Sequence, residues 1–448
     1  MSESVDVLVL GAGPAGLVAA YEAASAGATV TIVDCTSEIG GNGAFSTGYM
    51  AFAGTSRQGD LGIQDSPETF LADMVAEVER KRAAFDPEFD HSVAERFVTE
   101  SGAAFEFLVG LGFDFGRFVS RPLQHSVDRM VVMTRTADIR EIFVGRLGDL
   151  GVTIRRRERA TSLTTEGGVV RGAILTRPDG THTEVLARRA VVVTTGGYQA
   201  SAEMRAQYQP AFDSHAPFQG LDTIVGDGHR MLADVGADLV NMHMVPELVQ
   251  VASRLVEECI AVNEDGRRFH DEAGPYNLRL AALRAQPGAI AYYLCDAATA
   301  ERQAQLLGEL PGRSRTVGSL EAAARVIGAD PRVLVGTVER WNDVVEASAP
   351  DEFGRVVLPE DRVGIRKSPF TLSPMVIGTD ISAGGARITP DTEVLRADGR
   401  VIPNVFAAGD CQGITNVAAG LGGVHLASAV TLGRVAGRAA AGCARSGG

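Results

Sequence analysis

The chain is poor in cysteine, and its five, Cys35, Cys259, Cys295, Cys411 and Cys443, are too scattered to form a CxxC pair or any metal-ligand spacing. That pattern leaves no framework for a disulfide scaffold, an iron–sulfur cluster or a covalently attached haem, so an electron partner beyond a first cofactor is expected to be a separate molecule. Positive charge is also scarce. Against 56 Asp and Glu there are 42 Lys and Arg, a net charge of −14, which gives no broad attraction to nucleic acid or to an anionic membrane surface. No apolar run reaches spanning length without glycine, proline or charge, so no membrane span is expected. The first apolar strand starts at Val5, leaving no room for a signal peptide, and the expected location is the cytoplasm.

Glycine, by contrast, is plentiful, with 52 residues in 448, and several fall in an ordered pattern. The run Asp6-Val7-Leu8-Val9-Leu10 leads into Gly11-Ala12-Gly13-Pro14-Ala15-Gly16, then an amphipathic stretch to Gly27, then a second apolar run ending in Asp34. The order is strand, tight turn, helix, strand. Gly11 permits the turn, Gly13 lets backbone amides reach a pyrophosphate at the positive end of the helix, and Gly16 lets helix and strand pack closely. Asp34 accepts hydrogen bonds from a ribose. A lone GxGxxG is a weak signal, but strand, helix and acid all stand where a dinucleotide site requires them.

Further along, Gly40-Gly41-Asn42-Gly43-Ala44 and Ser46-Thr47-Gly48-Tyr49 form a small-residue loop suited to passing close to a bulky ligand. Helical periodicity runs through 66–112 and 138–150. Between Gly151 and Ala187, turn signals at Glu166-Gly167-Gly168 and Pro178-Asp179-Gly180 mark a three-stranded meander, and a buried strand at 190–195 runs into Gly196-Gly197. Gly226-Asp227-Gly228 opens a short helix. Residues 241–370 lose the glycine-rich character and read as an inserted α+β cap. The strand Val405-Phe406-Ala407-Ala408 with Gly409-Asp410, and a small-residue helix from about Leu421 to Ala441, then return to the first domain. The expected fold is α/β: a Rossmann-like dinucleotide domain (parallel sheet plus β-meander) built from 1–240 and 371–448, with the cap inserted.

The length of this arrangement favours FAD over NAD. One end of the chain holds the AMP half, and a distant segment must hold the ribityl chain and flavin, a natural role for Asp410. The glycines at 420, 422 and 423 place a helix N-terminus where it can stabilise negative charge on a reduced flavin. Candidate cofactor residues are Gly11, Gly13, Ala15, Gly16, Asp34, Gly40, Gly41, Asn42, Gly48, Ala160, Thr195, Gly196, Gly197, Asp227, Gly409, Asp410, Leu421 and Gly422.

These pieces, with Asn263-Glu264-Asp265-Gly266-Arg267-Arg268-Phe269-His270-Asp271-Glu272, Ser368-Pro369-Phe370 and Gly384-Gly385, resemble the fumarate reductase/succinate dehydrogenase flavoprotein superfamily, which also holds 3-ketosteroid dehydrogenases. The resemblance covers nearly the whole chain and implies an FAD enzyme acting on a CH–CH or C=C bond of a small molecule. It also marks departures. Where fumarate-reducing members carry a histidine-proline segment, this chain reads Met242-His243-Met244-Val245-Pro246. Their paired histidine is replaced by Thr379-Asp380-Ile381-Ser382, and the arginine that clamps a dicarboxylate is Gly420. The arginine that delivers a proton shortly after Arg-Phe-x-x-Glu gives way to Gly274-Pro275-Tyr276, and Arg302 falls slightly late for the cap arginine. Fumarate reduction is therefore not expected, and the 420–423 region is closer to the ketosteroid dehydrogenase branch. Phe370 and Thr371 stand where that branch favours tyrosines. No histidine lies between Thr36 and Tyr49, where members with covalent flavin place one, so noncovalent FAD is expected.

Flavin N5 exchanges hydride, so a side chain must handle the proton. The candidates are Tyr276, Arg279, Tyr49, Asp380 and His243. Tyr276 and Arg279 are three apart, on one helix face, where a guanidinium stabilises a phenolate. Glu272 is expected either to act or to pair with Arg267 or Arg268, and His125 and Arg135 to approach the substrate mouth. The absence of a second GxGxxG points to reducing equivalents from the substrate or from a separate donor or acceptor. Three functions fit: a dehydrogenase desaturating a carbonyl-activated bond, the same scaffold run backwards as an ene-reductase, and an electron-transfer subunit without its own substrate.

Overall fold

The computed structural model describes residues 3–120, 124–212, 216–245, 248–249, 253–304, 307 and 314–444. The first strand, Glu3–Leu10, is buried without a break from Val5 to Leu10, as expected for a parallel strand covered on both faces. It pairs in parallel with Val30–Asp34 on one side and with His182–Val193 on the other. The sheet extends outward to Thr153–Arg156 at one edge. At the other it passes through Val401–Ala407, parallel to Val191–Val193, to the antiparallel Glu393–Leu395. The meander is present as Arg159–Glu166, Val169–Thr176 and the first half of His182–Val193. The meander's third strand and the buried strand, separate in the sequence reading, are one twelve-residue strand that belongs to both layers.

Two helices from opposite ends of the chain cover one face, Pro14–Ser25 and Val424–Gly442. They meet backbone to backbone: a Cβ on Gly433 would lie 2.5 Å from the Ala15 carbonyl oxygen, and one on Gly437 would lie 2.2 Å from that of Ala19. The small-residue composition of the last helix thus serves helix packing.

The cap is built on a four-stranded antiparallel sheet in the order Ile260–Asn263, Ala291–Cys295, Phe370–Pro374, Arg315–Val317. The period-2 alternation of strands is visible in its cores. Ala261, Ala291, Tyr293 and Cys295 pack with Leu280 and Leu283 on one face, while Ile260, Val262, Leu294 and Leu372 pack with Leu334, Val338 and Trp341 on the other. Pro374, the last residue of the third strand, lies four positions beyond 370 and still belongs to the cap sheet.

A buried ion network ties the cap's loops together. Glu272 accepts from Arg268 Nε and Nη2, both at 2.9 Å, from Arg355 Nη1, and from the Ala261 amide at 2.9 Å. Arg268 also bonds Asp351 at 2.6 Å, and the Trp341 ring stacks on both guanidinium groups. Burial opposes the Glu272 charge, but Arg355 and Arg268 outweigh it and hold the carboxyl down to about 2. Glu272 is therefore a structural anchor, paired with Arg268 while Arg267 is exposed.

Gly437→Leu should force the two terminal helices apart, lowering stability by roughly 3 kcal/mol. Urea unfolding of the holoprotein checks this, and an unchanged midpoint would show that the crossing is loose.

Candidate active site

A cavity of about 710 Å³ runs from the first glycine turn to the cap, within the usual size of small-molecule and cofactor sites. At one end, the helix Pro14–Ser25 begins at Gly13 with no side-chain cap, so its first amides are free to meet an anion. A Cβ built on Gly13 meets no atom within 4 Å, so this glycine keeps a space clear rather than relieving a clash. Gly16 does the reverse: its Cβ would sit 1.9 Å from the Gly11 carbonyl oxygen. Asp34 is fixed at its strand end by the Ala12 amide at 2.7 Å and by the Thr36 amide and hydroxyl at 2.8 and 2.6 Å.

These features fit FAD: an open space over bare helix amides for the pyrophosphate, a pinned acid for the ribose, and a second acid far along the same cavity. That second acid is Asp410, whose Oδ1 lies 2.6 Å from His425 Nε2. Burial disfavours the imidazolium, yet Asp410 and Asp380 together raise the His425 pKa. The last helix starts at Val424, and Gly422 and Gly423 line the cavity. The Gly422 amide is taken by Gln124 Oε1 at 3.0 Å.

Of the cofactor candidates, Gly11, Gly13, Ala15, Asp34, Gly41, Asn42, Gly48, Thr195, Gly196, Gly409, Asp410, Leu421 and Gly422 line this cavity. Gly16 and Gly40 stand behind it, with the Gly40 amide on the Ala12 carbonyl. Gly197 backs onto Ser382. Ala160 pairs with Leu175 in the meander, and Asp227 is ion-paired to Arg159.

The structure brings Tyr49, Tyr276 and Asp380 to the cap end of the cavity. Arg279, 4% exposed, lies over the Tyr276 ring at 4.6 Å. It lines an adjoining niche of about 10 Å³ with Tyr49, Tyr276 and Gln124, and its Nε and Nη1 have no hydrogen-bond partner. Burial pushes Asp380 up to about 6 against the opposing pull of His425, and its Oδ1 is likewise unpartnered. Tyr49 donates to Glu257 Oε1 at 2.7 Å, a contact between the first domain and the cap. His243 is not in the cavity; it is exposed, and its Nε2 donates to the Phe85 carbonyl at 2.7 Å. Pro246, three residues on, lies outside the described residues. His125 is buried on the Gly422 carbonyl, its pKa pushed down to about 4 by burial, and Arg135 is a surface residue paired with Asp138 and Glu141.

Gly420 has a physical reason. Its Cβ would lie 1.7 Å from Glu77 Oε1, and Glu77 is itself paired with Lys81 at 3.0 Å and Arg80 at 2.6 Å. Where the resemblance leads one to look for an arginine, a carboxylate from the helix Pro67–Phe85 fills the space. Sequence reasoning missed Glu77, Gln124, Glu257 and His425. Only His425 left a trace, as a lone polar ring in a small-residue helix.

A family profile described as an FAD binding domain matches residues 6–426. The chain is 29% identical to an NADH:fumarate oxidoreductase of Klebsiella pneumoniae over 99% of its own length and 48% of that protein's. It is 28% identical to a urocanate reductase of Eggerthella lenta over 98% and 75%. It thus spans about half the length of the first relative and three quarters of the second. Among solved structures, it is similar to a flavocytochrome c3 fumarate reductase in its open conformation, with a TM-score of 0.77 and 26% identity over 98% of this chain and 78% of that one. It also resembles a 3-ketosteroid-Δ4-(5α)-dehydrogenase of Rhodococcus jostii, with a TM-score of 0.70 and 25% identity over 98% and 97%. No helix among the described residues is long and apolar enough to cross a membrane.

Gly13→Val should fold but come out colourless, because the open space it fills is the pyrophosphate's. Flavin absorbance per protein reads this directly, and full occupancy would move the phosphate site elsewhere.

Proposed function

The chain belongs to the FAD binding domain family, and from that premise we propose that it oxidises a carbonyl-activated CH–CH bond of a small organic substrate with an apolar body. On this reading it is an FAD-dependent oxidoreductase of carbon–carbon bonds, as the names of its relatives support. The observation that carries the reading is the single cavity that joins the dinucleotide end to Tyr49, Tyr276 and Asp380. FAD supplies the hydride acceptor; the protein must supply everything else. Phe85, Met244, Val245, Leu280 and Ile381 give the cap end apolar walls, which suit a substrate body that is not a dicarboxylate.

Tyr276 is the proton-handling residue in this proposal. It stands where the resemblance puts a proton-delivering arginine, and the Arg279 guanidinium lies over its ring at 4.6 Å, fixing its place beside the niche. Removing a proton beside a carbonyl needs such a base within hydrogen-bond reach. Asp380, raised to about 6, stands by as a second acid or base. The reverse direction, ene-reduction, is a second reading favoured by the names of the relatives, which are reductases. FAD held noncovalently, and a separate electron acceptor or donor, complete the proposal.

Fumarate is a poor fit on this reading. Glu77, held by Arg80 and Lys81, fills the space where the resemblance puts the clamping arginine, so the bidentate clamp on a dicarboxylate is missing there. Anaerobic stopped-flow with cyclohexanone, 4-androstene-3,17-dione and succinate, and with photoreduced enzyme against the corresponding enones and fumarate, should show ketone or enone turnover and none with the dicarboxylates. Efficient fumarate reduction would overturn the substrate class. Tyr276→Phe should keep FAD and slow substrate-driven flavin reduction by roughly two orders of magnitude or more; an unchanged rate would return Tyr276 to packing.

A further inference from the structure

Resting on the reading of Tyr276 as the proton-handling residue, we propose that Glu257 and Tyr49 form the relay through which that proton is exchanged with water. The residues come from different domains, 208 positions apart, yet the Tyr49 hydroxyl donates to Glu257 Oε1 at 2.7 Å. Tyr49 is 7% exposed and lines both the main cavity and the small niche shared with Tyr276 and Arg279. Glu257 lies near the end of the short helix Ser253–Glu258 and is half-buried, so part of it is open to solvent. One side chain therefore touches the reacting end and the other touches solvent.

The neighbours narrow the route. Met130, Val256, Ala273 and Gly422 close the niche with apolar groups and backbone. Arg279 faces it but keeps its proton under all ordinary conditions, so it orients and does not relay. Gln124, already bonded to the Gly422 amide, is not titratable. Tyr49 lines the niche beside Tyr276, and the Glu257 carboxylate bonded to it is the next group along that can take a proton. Once cofactor and substrate fill the main cavity, bulk water has no need to enter it.

The proton count balances in both directions. In oxidation, the Tyr276 phenolate takes the proton beside the substrate carbonyl while the neighbouring carbon loses hydride to the flavin. Tyr276 then passes a proton to Tyr49 as Tyr49 gives its own to the Glu257 carboxylate, and Glu257 releases it to water. In reduction each transfer reverses, and Glu257 takes its proton from water.

The test separates proton abstraction from proton exchange. Holoenzyme is incubated in heavy water with cyclohexanone, 4-androstene-3,17-dione or succinate, and two quantities are read: flavin reduction, and deuterium entering the unreacted probe. Glu257→Gln and Tyr49→Phe should retain FAD and lower deuterium incorporation by about tenfold or more relative to flavin reduction, the scale of a positioned acid–base group. In Glu257→Ala, added formate should restore the incorporation, which a merely structural role would not allow. If both variants exchange as fast as the parent while Tyr276→Phe does not, the relay is wrong and the Tyr276 reading survives. Equal loss of both quantities without formate rescue would make the Tyr49–Glu257 bond a domain latch only and overturn the relay. If Tyr276→Phe exchanges and reduces flavin normally, or if no probe reacts with the parent, the reading beneath falls and the relay with it.

Discussion

The architecture depends on backbones that meet with nothing between them. At the dinucleotide turn the Gly11 carbonyl is packed where a Gly16 side chain would stand, and one layer out the last helix rests on the carbonyls of Ala15 and Ala19. The same device recurs toward the cap, where Gly384 abuts the backbone at Met242 and Gly423 abuts that at Met50. Dispersion between backbones is modest per atom pair, but each approach moves a whole element a few ångströms closer. The cavity exists because these elements are drawn together around it while Gly13 leaves a gap.

The parts of this molecule that were readable from sequence are those whose rules are local. The turn at Gly11 to Gly16, the acid at Asp34 and the meander's turn pairs carry their geometry within a few residues, and the structure has them in place. What was not readable depends on contacts between distant segments. Nothing near Glu77 in sequence announces that it will lie over Gly420, and nothing near Tyr49 announces Glu257. His243 shows the opposite case: a suggestive residue in a suggestive segment, which turned outward to satisfy the last carbonyl of the helix Pro67–Phe85.

Charge is distributed by the same logic of burial. In the cap, each Glu272 oxygen accepts two hydrogen bonds, three of the four from two arginines that an aromatic ring covers, and the carboxyl stays ionised. At the cavity, half-buried Asp380 and buried Arg279 keep buried polar atoms without a partner. Leaving such atoms unpaired costs about 1–3 kcal/mol each, a cost that a bound ligand offsets.

The strand His182–Val193 sets an order on how the chain can be made. One side of its last three residues pairs with the first strand, but the other side finds its parallel neighbour in Val405–Ala407, and the helix that covers the first helix comes later still. A chain emerging from the ribosome therefore carries an unfinished sheet edge through the whole synthesis of the cap, since parallel pairing at such sequence separation is slow and leaves edges exposed meanwhile. The cap sheet, whose four strands all lie between Ile260 and Pro374, has its partners at hand first, so the inserted piece is complete before the domain it interrupts.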